Sequence, residues 1–153
     1  MTLGIDLGSR HVKIAWENEK GWNFRRFDTI EFYRQYGQLV NNELRIDFDK
    51  LHMETKGKVV STGYGRLTIK VEGGLVIPEI KAHVLGALHQ TGLDTFTLMD
   101  LGGQDSKIVK VVKGRMLDFQ TNDKCAASSG RFLENMSRVL GITLEELGRH
   151  EED

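Results

Sequence analysis

Apolar and polar positions alternate at the start of the chain, pass into a helical rhythm, and later begin alternating again. Residues 3–6 form a short apolar run closed by Asp6, and over 11–16 the side chains of Val12, Ile14 and Trp16 fall on one side of an extended segment. Between them, Leu7-Gly8-Ser9-Arg10 has the composition of a tight turn. Lys20-Gly21 then reads as a hairpin turn into an extended stretch over 22–30, and Trp16, Trp22 and Phe24 are expected in the core of this first sheet. Residues 31–42 fit a helix carrying Phe32, Tyr36 and Leu39 along one side. Residues 59–62 form a short buried strand that runs into Gly63-Tyr64-Gly65-Arg66. Pro78 suits the first turn of a helix over 79–90, which Gly92 closes.

The alternation then restarts. A strand is expected over 95–100, a turn at Leu101-Gly102-Gly103-Gln104, and a second strand over 105–112. A Lys113-Gly114 turn leads into a third strand over 116–120. Ser128 or Ser129 caps a helix over 130–140 with Phe132, Leu133, Met136 and Leu140 on its apolar side, and Thr143-Leu144-Glu145-Glu146 has capping-box spacing. Strands interleaved with helices make this an α/β chain. Set side by side, Ile5-Asp6-Leu7-Gly8-Ser9 and Met99-Asp100-Leu101-Gly102-Gly103 keep step well beyond the Asp-x-Gly itself. In both copies a lysine follows at the same interval (Lys13, Lys107), an isoleucine comes next (Ile14, Ile108), and a Lys-Gly turn follows. Either copy alone is ordinary hairpin punctuation; the shared spacing marks a duplicated supersecondary unit.

This pattern suits polyphosphate chemistry. A strand ending in Asp places a carboxylate where it can hold Mg²⁺ directly or through water, and glycines just after it let backbone N–H groups approach phosphate oxygens. Two such turns facing each other would clamp a polyphosphate by position and charge. The Gly-x₄-Gly-Lys-Ser/Thr pattern of P-loop proteins is absent, as is the Gly-x-Gly-x-x-Gly of dinucleotide folds.

Composition narrows the classes further. The 153 residues carry 21 Lys and Arg against 22 Asp and Glu, so no global field draws the chain to nucleic acid or to an anionic membrane. No run approaches the ~18 apolar residues of a membrane span. The N-terminus lacks the layout of a signal peptide, and the lone Cys125 builds no disulfide framework, so a reducing cytoplasm is expected. Glu79 and His83 stand one helical turn apart, which allows a metal half-site, though two ligands are too few and a hydrogen bond is the expected use of His83.

Two tandem Asp-x-Gly hairpins resemble the phosphate-1 and phosphate-2 motifs of the ribonuclease H-like actin/Hsp70/hexokinase ATPases. The segments Ser61-Thr62-Gly63-Tyr64-Gly65-Arg66, Glu79-Ile80-x-x-His83-x-x-Gly86-Ala87, Asp100-x-Gly102-Gly103-Gln104-Asp105-x-Lys107, and Asn122-Asp123-Lys124-Cys125-Ala126-Ala127 with Gly130-Arg131-Phe132-Leu133-Glu134 narrow this. Their order resembles the ATP-driven activators of 2-hydroxyacyl-CoA dehydratases and the ATPase subunits of benzoyl-CoA reductases, the BadF/BadG/BcrA/BcrD type. The resemblance implies a first lobe at 1–92 and an incomplete second lobe at 93–153. It assigns Asp6, Gly8, Ser9 and Lys13 to the first phosphate loop and Asp100, Gly102, Gly103, Gln104 and Asp105 to the second. Asp6, Asp100 and Gln104 would organise Mg²⁺ and the attacking water. ATP, Mg²⁺ and a 4Fe–4S cluster bound by Cys125 in a homodimer are the implied cofactors, and a 2-hydroxyacyl-CoA dehydratase or related reductase is the implied partner. A thiolate just before a helix N-terminus fits that role electrostatically.

The sequence departs from the family pattern in two places. Ser128-Ser129 stands where the family has Gly-Thr after Cys-Ala-Ala, and the family's second cysteine, adenosine motif and remaining second lobe have no counterpart here. Three readings are compatible with this: a fragment, one half of a split protein completed by a separate chain, or a remnant that makes contacts through residues 130–140 and the open edges of its second sheet. A small-molecule kinase of the same superfamily and a non-catalytic dimerisation module are the alternative functions.

Overall fold

The computed structural model describes residues 2–53, 57–103, 105–122 and 129–149. The chain divides into two compact units, residues 1–82 and 83–153.

In the first unit, β1 (Leu3–Leu7), β2 (His11–Asn18) and β3 (Gly21–Asp28) form an antiparallel meander. The helix α1 (Thr29–Tyr36) follows without a loop because Asp28 caps it, its carboxylate accepting from the N–H groups of Ile30 and Glu31 at 2.9 and 3.2 Å. Next come β4 (Gly37–Val40), β5 (Glu43–Ile46), β6 (Val59–Thr62), a 3₁₀ turn at Tyr64–Leu67, β7 (Ile69–Lys70) and β8 (Leu75–Val76). β6 and β8 extend the meander in parallel, giving the order β3-β2-β1-β6-β8, while β4, β5 and β7 make a separate three-stranded sheet. Leu3, Ile5, Leu7, Val12, Ile14 and Val59 project from the large sheet onto Phe32, Ile46, Leu51 and Ile69. Phe32 is fully buried and meets the rings of Phe27, Tyr33 and Tyr36 at centroid distances of 5.2, 5.6 and 5.3 Å.

Two sequence expectations are corrected here. The helix expected over 31–42 stops at Tyr36: Gly37 turns extended, and Asn41 and Asn42 adopt left-handed φ angles of 52° and 62°, folding residues 37–46 into a hairpin. Leu39 is therefore an exposed strand residue. Consecutive asparagines tolerate the left-handed region that a primed turn demands, and that local preference outweighs a weak helical pattern. Trp22 and Phe24 are 49% and 73% exposed, outside the core. The register pairs Val12 with Phe27, Ile14 with Arg25 and Trp16 with Asn23, so Trp22 and Phe24 take the other face. Arg25 occupies the inner position, its guanidinium 5.4 Å from the Trp16 ring centroid and bonded to the Leu51 carbonyl at 3.3 Å.

The helix α2 (Glu79–Thr91) follows Pro78 and ends at Gly92 with φ 68°, and the boundary between the units falls within it. In the second unit, β9 (Phe96–Leu101), β10 (Ser106–Val112) and β11 (Arg115–Thr121) repeat the meander, with Lys113 and Gly114 at positive φ in the turn. The helix α3 (Gly130–Leu140) ends at Gly141, and the short α4 (Leu144–Leu147) begins with the expected capping box. The N–H and hydroxyl of Thr143 donate to Glu146 and hold its carboxyl below the ordinary glutamate range. The expected strands over 3–6, 11–16, 59–62, 95–100, 105–112 and 116–120 match these elements to within a residue or two. Among the described residues, no helix is long and apolar enough to cross a membrane.

The hairpin correction is testable. Asn42→Gly should leave urea stability unchanged or raised, whereas Asn42→Val should lower it by about 1–2 kcal/mol, because a β-branched residue is strained in the left-handed region. Equal stability of the two variants would contradict the turn.

Candidate functional site

The two Asp-x-Gly turns have the same construction. In the first, Asp6 ends up opposite Lys13 and Leu7 opposite Val12; in the second, Asp100 is opposite Lys107 and Leu101 opposite Ser106. Each turn closes so tightly that a side chain at its glycine would strike the returning strand. A Cβ on Gly8 would lie 2.5 Å from the His11 carbonyl oxygen, and one on Gly102 would lie 2.9 Å from that of Asp105. Both loops are thus backbone surfaces able to approach an anion closely. Ser9 lies exposed at the tip of the first, and Gly103 follows in the second.

At the first loop, the Lys13 ammonium lies 3.1 Å from Asp6 Oδ2. Asp6 Oδ1 is buried and has no hydrogen-bond partner among the described residues. A buried carboxylate oxygen left unpaired is a costly arrangement unless a cation or an ordered water completes it. The Thr29 hydroxyl donates to the Gly8 carbonyl at 2.9 Å, and the Thr29 N–H donates to that of Arg10 at 3.1 Å, tying the loop to the start of α1. A cavity of about 290 Å³ opens beside the loop, bordered by Leu7, Ser9, Tyr33, Tyr64 and Ile69. Burial pushes the Tyr33 hydroxyl up to about 12, and the negative charge of Asp6 adds to the shift.

Gly63, at the end of β6, packs against the same aspartate. It has φ 92°, and a Cβ there would lie 2.4 Å from Asp6 Oδ1 and 2.7 Å from the Leu7 backbone. The Arg66 guanidinium donates to the Gly63 carbonyl at 2.9 Å and closes the 3₁₀ turn. The glycines of this segment were legible in the sequence, but their purpose was not. Parallel pairing of β1 with β6 sets Asp6 against Thr62, and that pairing alone brings Gly63 to the carboxylate.

At the second loop, the Gly102 N–H donates to the Asp105 carbonyl at 2.8 Å. Lys107 sits 2.8 Å from Asp105 Oδ1 and 3.7 Å from Asp100 Oδ2. His83, from α2, reaches the same Asp100 oxygen at 2.9 Å. This is the hydrogen bond the sequence favoured for His83 over a half-site with Glu79, and among the described residues no cluster of three or more His, Cys, Asp or Glu is arranged to hold a metal. The first two N–H groups of α3, those of Gly130 and Arg131, donate to the carbonyls of Gly102 and Gly103 at 3.0 and 3.1 Å. Nothing in the sequence announced that docking. It means the helix's positive end is engaged by the carbonyls of the second Asp-x-Gly loop itself. Gln104 and Cys125 lie outside the described residues.

These loops match a known group of proteins along almost the whole chain. The family model of the BadF/BadG/BcrA/BcrD ATPases covers residues 3–152. The chain belongs to the BadF/BadG/BcrA/BcrD ATPase family. It is 42% identical over 155 aligned residues to the 2-hydroxyisocaproyl-CoA dehydratase activator of Clostridioides difficile, an alignment covering 96% of this chain and 55% of that protein. It is 37% identical to the (R)-2-hydroxyglutaryl-CoA dehydratase activating ATPase of Acidaminococcus fermentans, over 95% of this chain and 56% of that one. Among solved structures, the activator of the 2-hydroxyisocaproyl-CoA dehydratase from Clostridium difficile with bound ADPNP superposes with a TM-score of 0.76 at 28% identity, covering 99% of this chain and 58% of that one. The fold is therefore the actin/Hsp70/sugar-kinase type of ATPase. The chain spans little more than half the length of these family relatives.

The residues present fit one implied cofactor and not the other. Mg²⁺ commonly takes one or two carboxylates together with phosphate oxygens and water, and the unpaired Asp6 Oδ1 suits that role. A cysteine-ligated four-iron cluster takes four thiolates. One cysteine per chain gives a dimer only two, so the cluster does not fit this chain's donor set.

Two outcomes follow. Gly63→Ala should cost roughly 1–3 kcal/mol in chemical denaturation, since it forces both backbone strain and displacement of Asp6; a loss within error would remove Gly63 from the site. Tyr33 titrates higher folded than unfolded, so its contribution to stability is whole below about pH 10 and is lost as pH rises toward the folded value. Tyr33→Phe should flatten that alkaline decline in a denaturation series. An unchanged slope would contradict the burial of the hydroxyl.

Proposed function

We propose that this chain is the nucleotide-binding portion of a cytoplasmic activator that binds and hydrolyses Mg-ATP in the service of a 2-hydroxyacyl-CoA dehydratase or related reductase. The observation that carries the reading is the duplicated Asp-x-Gly hairpin, two loops of one register, each with a carboxylate at a strand end and a glycine pressed on the returning strand. The dehydratase activators among its relatives support the choice of partner, and the ADPNP bound to one of them supports the nucleotide.

On this reading residues 1–92 carry the first phosphate loop and 93–153 the second. Gly8, Ser9, Gly102 and Gly103 take phosphate oxygens on backbone N–H groups, which bind charge without reorganising. Lys13 steadies Asp6 through Oδ2, leaving Oδ1 turned toward the cation. In the second loop Asp100 is the cation-organising carboxylate, Asp105 closes the loop and holds Lys107, and Gln104 orients the attacking water. When bound, Mg²⁺ offsets the charge that builds on the transferred phosphoryl group. An electron-carrying cluster around Cys125 would need further thiolates from a separate chain bearing the rest of the second lobe, since a homodimer of this chain brings only two.

Thermal unfolding with and without Mg-ATP tests the proposal. At about 100-fold excess over Kd, binding should add about 2.7 kcal/mol to folded stability and raise the melting temperature accordingly. Ser9→Glu, at an exposed position that tolerates the change, should fold normally but lose most of that rise by repelling phosphate. A wild-type transition unmoved by Mg-ATP would reject nucleotide binding and favour a non-catalytic interaction module.

A further inference from the structure

The two loops differ in how they hold their aspartate. In the first, Lys13 lies 3.1 Å from Asp6. In the second, the matching Lys107 has a stronger claim on it: Asp105 stands where the first copy has His11, and draws the ammonium to 2.8 Å. That leaves Lys107 3.7 Å from Asp100, beyond hydrogen-bond range. The gap is filled from outside the repeat. His83 Nδ1, from α2 rather than from either strand of the hairpin, lies 2.9 Å from Asp100 Oδ2.

We propose that His83 is a positioning residue that fixes the Asp100 carboxylate for Mg-nucleotide binding, replacing the lysine that performs this task in the first loop. The proposal rests on the reading of Asp100 as a cation-organising group. A carboxylate only accepts, so the bond requires the proton on Nδ1. The contact is sheltered, with side-chain exposures of 31% for His83, 16% for Asp100 and 14% for Lys107, so water does not readily replace it. A hydrogen-bonded ring beside a carboxylate that organises a cation fixes the carboxylate's orientation, the usual role of such supports around metal ligands. Val84, the next residue of α2, is buried, which anchors the helix at that level.

The test combines a binding ratio with a spectrum, both on the whole chain. Affinity for a non-hydrolysable ATP analogue is measured in Mg²⁺ and in EDTA. His83→Ala should reduce the ratio of the two roughly tenfold, the scale of one hydrogen bond to a charged group. His83→Asn, whose amide nitrogen reaches nearly the same point as Nδ1, should recover most of the ratio. A loss of structure alone would weaken both affinities together, and an unchanged ratio in His83→Ala overturns the proposal. Imidazole nitrogen NMR of the wild-type chain gives the second readout. An Nδ1–H resonance for His83 that disappears in Asp100→Ala supports the pairing, and an Nε2–H tautomer overturns it. If the wild-type chain takes no nucleotide, the proposed function fails, and the NMR result alone then decides whether His83 holds Asp100.

Discussion

The site depends on one constraint, the register of an antiparallel hairpin that sets a strand-end aspartate opposite a lysine with a glycine at the bend. Once Leu7 faces Val12 and Leu101 faces Ser106, the aspartates stand at the ends of their strands and the glycines touch the returning backbone. Slipping either strand by one residue would turn its aspartate to the other face and bring its buried leucine or valine positions into solvent. In the first unit the register is locked by burial of Leu3, Ile5, Leu7, Val12 and Ile14 in the core above Phe32, so packing energy and site geometry are one requirement.

Duplication of the hairpin did not duplicate its support. The first loop is braced by elements of its own unit: Thr29 at the start of α1 bonds to the Gly8 carbonyl, and Gly63 beyond β6 leaves room for the Asp6 carboxylate. The second is braced by helices, with α3 donating its first N–H groups to Gly102 and Gly103, and α2 sending His83 to Asp100. Asn122 is bonded to Ser106 at the base of β10, and Gly130 to the Gly102 carbonyl.

The ATPase family membership and the chain's span of just over half its relatives' length sit together naturally. The duplicated Asp-x-Gly hairpins lie within the stretch that the family model covers. The cluster chemistry named by resemblance needs more thiolates than one cysteine provides.

Local pattern by itself determined the strands of both meanders and β6, the α2 and α3 helices, the capping box at Thr143 and the repeat, because period, caps and turn glycines act over a few neighbouring residues; the short strands β4, β5, β7 and β8 were not legible in it. It failed where a local preference was nearly balanced, as at residues 37–42, and where strand parity was set by the length of a turn, as at Trp22 and Phe24. Only the tertiary structure could decide that Gly63 packs against Asp6, that α3 donates to the second loop, and that His83 reaches Asp100. Those contacts join residues distant along the chain, through parallel strand pairing and helix packing that carry no short-range signature.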